Sequence, residues 1–121
     1  MFILRLSDLD GALLELPNLE RLDLQGNSLL SFSGLKLPSL AQINLSSNRL
    51  TSLDNSILDS EGLTSLDISA NPLNELPANI FEKLGELKSL NVADTYLQKI
   101  PKIPNSVLLN DLNLRNINLK W

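Results

Sequence analysis

One spacing of leucines runs through the chain and limits the folds that it can adopt. Its first full copy consists of Leu19, Leu22, Leu24, Asn27, Leu29 and Phe32. Four further copies follow, and they begin at Leu40, Leu63, Leu87 and Leu109. A repeat of 21 to 24 residues cannot bury its own apolar side chains, so neighbouring copies must stack. We therefore predict a solenoid of five coils, numbered first to fifth in chain order.

Within each copy, two apolar residues flank one polar residue, and this alternation predicts a short strand. In the first coil Leu22 and Leu24 would face the core while Asp23 faces outward. A shorter, degraded copy at Leu4 and Leu6 comes before it. The predicted strands pair in parallel and cover residues 4–6, 22–24, 43–45, 66–68, 90–92 and 112–114. Prolines in the return segments favour extended or 3-10 structure there, with helical turns over 55–62 and 78–84.

This spacing, LxxLxLxxNxLxxL, resembles the leucine-rich repeat family over nearly the whole chain. The stretch from Leu76 to Pro101 is similar to the receptor-type subclass, whose consensus is LPxxxFxxLxxLxxLxLxxNxLxxLP. The resemblance implies an α/β solenoid: a right-handed horseshoe with a short parallel sheet on its concave face and mostly extended or 3-10 convex segments. We expect residues 1–121 to form a single such domain, with a fragment of a longer repeat protein as the open alternative. Thr95 and Ile117 depart from the pattern, because they stand at asparagine positions.

Asn27, Asn48 and Asn71 occupy one position in the first three coils. An amide both donates and accepts hydrogen bonds, so an inward-facing asparagine can bond the backbone of its own and neighbouring coils. We expect a structural asparagine ladder here rather than a set of ligand amides. Thr95 would keep part of this bonding through its hydroxyl group, and Ile117 would keep none.

The outward positions of the predicted strands form polar columns on the concave face. The candidate binding residues, in two columns, are Arg21, Gln42, Ser65, Ser89 and Asp111, then Asp23, Asn44, Asp67, Asn91 and Asn113. A third column after them reads Gln25, Ser46, Ser69, Ala93 and Arg115. The resemblance implies that a protein or peptide binds this face. The alternative is that these residues are only the solvated side of a sheet, since no aromatic anchor marks a hot spot there.

Composition argues against several classes of function. The chain has no cysteine or histidine, so thiolate zinc sites, disulfides and histidine-based catalysis are excluded. A net charge of −4 disfavours a general nucleic-acid binder. The carboxylate pairs Asp8 with Asp10 and Glu82 with Glu86 come without a nucleophile or a phosphate-binding loop, so we interpret them as solvated charges. We expect no enzyme activity, no cofactor, no metal and no membrane insertion by this segment.

Two functions remain open. The first is a protein-interaction module, part of a receptor or adaptor, for which the subclass resemblance favours an extracellular or cell-surface location. The second is a structural or capping segment that forms homo-oligomers through its solenoid ends, where Trp121 could instead fold back as a lid. Asn44-Leu45-Ser46 is formally a glycosylation site, conditional on secretion. Tyr96 is interpreted as a partly buried loop residue or, alternatively, as an exposed partner contact.

Overall fold

The computed structural model describes residues 14–15, 17–32, 35–53 and 55–120. Its strands are β1 (Leu14–Glu15), β2 (Arg21–Asp23), β3 (Leu35–Lys36), β4 (Gln42–Asn44), β5 (Ser65–Asp67), β6 (Ser89–Asn91) and β7 (Asp111–Asn113). A 3-10 helix covers Asn55–Asp59 and one α-helix, α1, covers Ile80–Lys83. The predicted copy at Leu4 and Leu6 lies outside the described residues.

Five of the strands form one parallel sheet in the order β2-β4-β5-β6-β7. The strands pair in the register that the leucine spacing predicts, and the central residues aligned across the sheet are Leu22, Ile43, Leu66, Leu90 and Leu112. The parallel-stranded solenoid is therefore confirmed, although each strand begins and ends one residue earlier than predicted. This shift leaves the second core leucine of each coil, such as Leu24, just beyond the strand.

The return segments form the other wall of each coil. The 3-10 helix and α1 confirm the two predicted helical turns, and both are shorter than the ranges 55–62 and 78–84. β1 and β3 pair in parallel as a second, two-stranded sheet, and β3 packs against the 3-10 helix. The sequence did not predict this small sheet, because neither two-residue strand carries an alternating pattern.

The core is a continuous stack of side chains, one from each coil at each position. Leu24, Leu45, Ile68 and Val92 are each at most 1% exposed, and equivalent columns run through the whole stack. Phe81 of α1 is the largest fully buried side chain. Burying one such side chain contributes roughly 1.5–3 kcal/mol, so the stack is held mainly by contacts between neighbouring coils.

Each of the five coils turns through a left-handed residue immediately before its asparagine position. These residues are Gly26, Ser47, Ala70, Asp94 and Asn116, with φ between 53° and 72°. Glycine adopts this conformation at no steric cost, whereas a Cβ atom disfavours it by roughly 1–2 kcal/mol. Four coils therefore carry strain at this turn, and they keep it because the turn aims the next side chain into the core.

Among the three asparagines of the ladder, Asn48 makes the most hydrogen bonds. Its Nδ2 donates to the carbonyl oxygens of Leu24, Leu45 and Ser46 at 2.9–3.2 Å. Its Oδ1 accepts the backbone N–H groups of Asn27 and Leu29, both at 2.9 Å. One side chain thus joins the first and second coils through both donors and acceptors.

The other two amides make fewer bonds. Asn71 Nδ2 donates to the carbonyls of Leu45, Ile68 and Ser69, and its Oδ1 accepts the N–H of Leu50. Asn27 Nδ2 donates to two carbonyls of its own coil, while its buried Oδ1 has no partner among the described residues. All three side chains are at most 7% exposed.

The ladder stops after the third coil. The hydroxyl of Thr95 donates to Val92 O at 2.8 Å, within its own coil, and reaches no other coil. Ile117 has no polar group to offer. Between the fourth and fifth coils, a surface bond replaces the buried one, since Asn116 Nδ2 donates to Asp94 Oδ1 at 2.9 Å.

Replacing each ladder asparagine by alanine should destabilise the fold in proportion to the bonds lost. At about 0.6 kcal/mol for each hydrogen bond, near the lower end of the usual range, we expect Asn48→Ala to lower the free energy of unfolding by about 3 kcal/mol and Asn27→Ala by about 1 kcal/mol, with Asn71→Ala between them. Chemical denaturation measures the series. Exposed Asn74 is the control, and equal losses at all four positions would contradict the ladder ranking.

Ala70→Gly should stabilise the protein, because it relieves left-handed strain at a position where alanine has a φ of 53°. We expect a gain of about 1 kcal/mol. The reverse change, Gly26→Ala, should cost a similar amount, since the added Cβ meets nothing within 4 Å and only the φ of 72° opposes it. Thermal and denaturant unfolding of both variants test the pair, and changes of the same sign would rule out this explanation.

Candidate interaction surface

The structure brings all ten candidate binding residues together on one face of the five-stranded sheet. In the first column Arg21, Gln42, Ser65, Ser89 and Asp111 are paired across neighbouring strands. In the second column Asp23, Asn44, Asp67, Asn91 and Asn113 are paired in the same way. Every one of them is exposed or half-buried, while the apolar residue between the two columns is buried in the first four coils and, at Leu112 of the fifth coil, 38% exposed. The columns are therefore a consequence of strand register.

The second column is held in one orientation by its own backbone. In all five coils, Oδ1 of the column residue accepts the N–H two residues further along at 3.0 Å. The acceptor residues are Asp23, Asn44, Asp67, Asn91 and Asn113. Aspartate and asparagine form such short turns readily. The second terminal atom of each side chain, Oδ2 or Nδ2, takes no part in these turns; Asn44 Nδ2 donates to Gln25 Oε1, and Asn91 Nδ2 donates to Asp67 Oδ2.

The third column is not the open surface that the sequence predicts. Ser46 and Ala93 are only 5% and 4% exposed. The hydroxyl of Ser46 donates to Asn44 Oδ1 at 2.6 Å, and that of Ser69 donates to Asp67 Oδ1 at 2.7 Å. The prediction is wrong for Ser46 and Ala93, because the strands end one residue earlier and the chain then turns inward, whereas Gln25 and Arg115 are exposed and Ser69 is half-buried.

A shallow groove crosses the first three strands of the sheet. It measures about 290 Å³, and its polar lining consists of Arg21, Asp23, Gln42, Asn44, Ser65 and Asp67. Asp23 and Asp67 stand two strands apart, about 10 Å by strand spacing. Side-chain bonds across the column are long, at 3.3 Å from Asn44 Nδ2 to Gln25 Oε1 and 3.5 Å from Asn91 Nδ2 to Asp67 Oδ2. Weak bonds of this kind leave these groups available to another molecule.

The acidic side chains of the described residues do not cluster into a metal-binding group. No group of three acidic, histidine or cysteine side chains among them is arranged to hold a metal ion. Glu82 and Glu86 are both exposed, and Asp8 and Asp10 lie outside the described residues. Within the same part of the chain, no helix has the length and apolar character to cross a membrane.

Tyr96 differs from the first interpretation given to it. Its side chain is 66% exposed, so the interpretation of Tyr96 as a partly buried loop residue is wrong. Leu30 and Leu108 are also exposed, at 57% and 74%. The leucine spacing makes no prediction about their burial, because both stand outside it.

The coils stack through a five-stranded parallel sheet, and each of the first three carries a buried asparagine after its strand. This architecture defines a class of repeat protein. The sequence profile of the Leucine Rich Repeat family matches residues 18–42 and 62–84. The chain belongs to the leucine-rich repeat family. Repeats of this family generally mediate protein–protein interactions, and domains built from them are typically non-catalytic.

Curated relatives match parts of the chain. Human vasorin (Homo sapiens) is 34% identical over 69 residues, which is 57% of this chain and 10% of that protein. Adenylate cyclase of Mycosarcoma maydis is 31% identical over 75% of the chain and 4% of its own length. Adenylate cyclase of Schizosaccharomyces pombe is 37% identical over 84% of the chain and 6% of its own length. The chain thus spans a tenth or less of each of these relatives.

Proposed function

We propose that this chain is a non-catalytic interaction module that binds a protein or peptide through its concave face. The observation that supports the proposal most directly is the fixed orientation of five successive side chains, Asp23, Asn44, Asp67, Asn91 and Asn113, by equal 3.0 Å bonds to the backbone. A face held in one conformation loses little entropy when a partner binds, which favours recognition.

The polar character of the face defines the kind of partner. Carboxylates at Asp23 and Asp67 and the guanidinium of Arg21 stand beside the neutral groups of Gln42 and Ser65 in one groove. A polypeptide supplies matching donors and acceptors along its backbone, whereas the phosphates of a nucleic acid would be repelled by the carboxylates. The partner in this proposal is therefore a protein segment, and no nucleic acid or cofactor takes part.

The wider biological setting is also part of the proposal. The receptor-type spacing from Leu76 to Pro101 supports a role in a receptor or adaptor at the cell surface or outside the cell. In that setting a glycan on Asn44 would cover the groove, because Asn44 lines its centre. We therefore propose that the partner-binding form carries no glycan at this position.

Self-association is the second candidate function, and one observation favours it. Leu112 of β7 is 38% exposed, and Leu109, Leu114 and Ile117 around it are only partly buried. This side of the fifth coil is open to further apolar packing, whether by another coil or by a second copy. Trp121 and residues 1–13 also bear on self-association, but they lie outside the described residues.

Charge reversal on the concave face should weaken partner binding. Arg21→Glu with Gln42→Glu changes the charge by −3, and within the described part of the chain neither side chain makes a hydrogen bond that the substitution would remove. For peptides selected from a displayed random library against the wild type, we expect the dissociation constant to rise at least about tenfold, or about 1.4 kcal/mol. Isothermal titration calorimetry measures it.

The matched control is Lys83→Glu with Asn79→Glu, which makes the same charge change at exposed positions around α1. Affinity should stay within about twofold of the wild type. Binding that survives the concave variant but is lost in this control would reject the concave face as the interaction surface.

If self-association through β7 is the function instead, sedimentation velocity should show a concentration-dependent increase in mass. Leu112→Lys should then return the protein to a monomer, because an ammonium group cannot be buried without a partner. Leu30→Lys, which changes an even more exposed leucine (57%) in the first coil, serves as the control. A single monomeric species at every concentration would exclude this candidate.

A further inference from the structure

The loss of the asparagine ladder after the third coil changes the loops that follow β6 and β7. In the earlier coils a buried amide draws successive loops together, as Asn48 does through Leu24 O and Leu29 N. Thr95 and Ile117 provide no such link. The loops of the fourth and fifth coils are joined at their surface by Asn116 to Asp94. The backbone bond from Asp94 N to Arg115 O at 3.0 Å also joins them, as equivalent bonds do in the earlier coils.

A groove of about 610 Å³ lies between these two loops. Its walls are formed by Asp94, Thr95, Tyr96 and Gln98 on one side and Asn116, Ile117 and Asn118 on the other. This volume is within the range of about 300–1,000 Å³ that small-molecule sites occupy. The groove is separate from the concave groove, since the two share no residue.

Both walls are fixed by the backbone. Tyr96 N donates to Leu73 O at 2.9 Å, which holds the tyrosine loop against the third coil. Gln98 O accepts the N–H of Lys120, which holds the end of the second wall. The groove is therefore formed before any ligand arrives, and binding would require little ordering.

The side chains of the groove define a narrow ligand chemistry. Gln98 and Asn118 each offer an amide that donates and accepts, and Asp94 has an oxygen, Oδ2, outside its bond to Asn116. No lysine or arginine is among the described residues that line the groove, so an anionic ligand would find no counter-charge. Tyr96 and Ile117 alone supply apolar surface, which is too little for an amphipathic helix.

We propose that this groove binds a neutral saccharide. The exposed ring of Tyr96 offers a flat apolar surface against which the C–H face of a sugar ring packs. The amides of Gln98 and Asn118 and the free oxygen of Asp94 bond to its hydroxyl groups, which are donors and acceptors at once. The site is independent of the partner proposed for the concave face.

The test uses three neutral trisaccharides, maltotriose, cellotriose and triacetylchitotriose, titrated into the ¹⁵N-labelled protein. We expect saturable chemical-shift changes confined to residues 94–98 and 116–118 with at least one of them. Tyr96→Ala should weaken binding by about tenfold, whereas Tyr96→Phe, which keeps the ring, should bind within about twofold of the wild type. Leu30→Ala, which removes an exposed apolar side chain in the first coil, should have no effect.

Because Tyr96 is mostly exposed, its truncation should preserve the fold, and the spectrum of the free variant verifies this. A second variant, Asn118→Leu, removes the amide and should also weaken binding. The proposal is overturned if none of the three sugars shifts the groove residues, or if Tyr96→Ala binds as tightly as the wild type. A protein partner that requires Tyr96, without any response to the sugars, would assign this residue to a protein interface and would also overturn it.

Discussion

The buried amide of Asn48 is the interaction on which the rest of the structure depends. It donates to carbonyl groups of two coils and accepts two N–H groups of the first. Leucine packing alone would press the coils together without fixing their relative position, because the hydrophobic effect is not directional. The amide supplies that direction. In the first three coils the amide reinforces the register that the strand pairing sets, and the fourth and fifth coils keep the same register, and the same alignment of polar columns, through strand pairing.

The same sequence position also determines where the surface opens. Where the position holds asparagine, in the first three coils, adjacent loops are tied from within. Where it holds Thr95 or Ile117, the tie moves out to Asn116 and Asp94, and a groove remains between the loops. The residue at the asparagine position of each coil therefore determines whether adjacent loops are bonded to each other from within or leave a groove between them. The concave groove lies on coils that keep the asparagine. The groove between the loops of the fourth and fifth coils lies where another residue replaces it.

Much of the fold could be predicted from the sequence because each leucine in a solenoid meets its own equivalents in the next coil. Spacing alone therefore predicted the parallel strands and the helical turns. It could not predict the left-handed turns at Ser47 and Ala70, since neither residue favours that conformation and only the surrounding packing imposes it. The burial of Ser46 and the exposure of Tyr96 were missed for a related reason. Both depend on where the strand ends and where a loop is tied, which are properties of three-dimensional neighbours.

Because the ladder ends after the third coil, the interfaces between coils differ in stability along the solenoid. Repeat proteins gain stability chiefly from interfaces between adjacent units, and here those interfaces are unequal. The interface between the first two coils contains a five-bonded buried amide, whereas the fifth coil is held by strand pairing, a few backbone bonds and one exposed side-chain bond. Local opening should therefore begin at the fifth coil and progress towards the first, so that amide hydrogen exchange would be graded along the axis of the molecule.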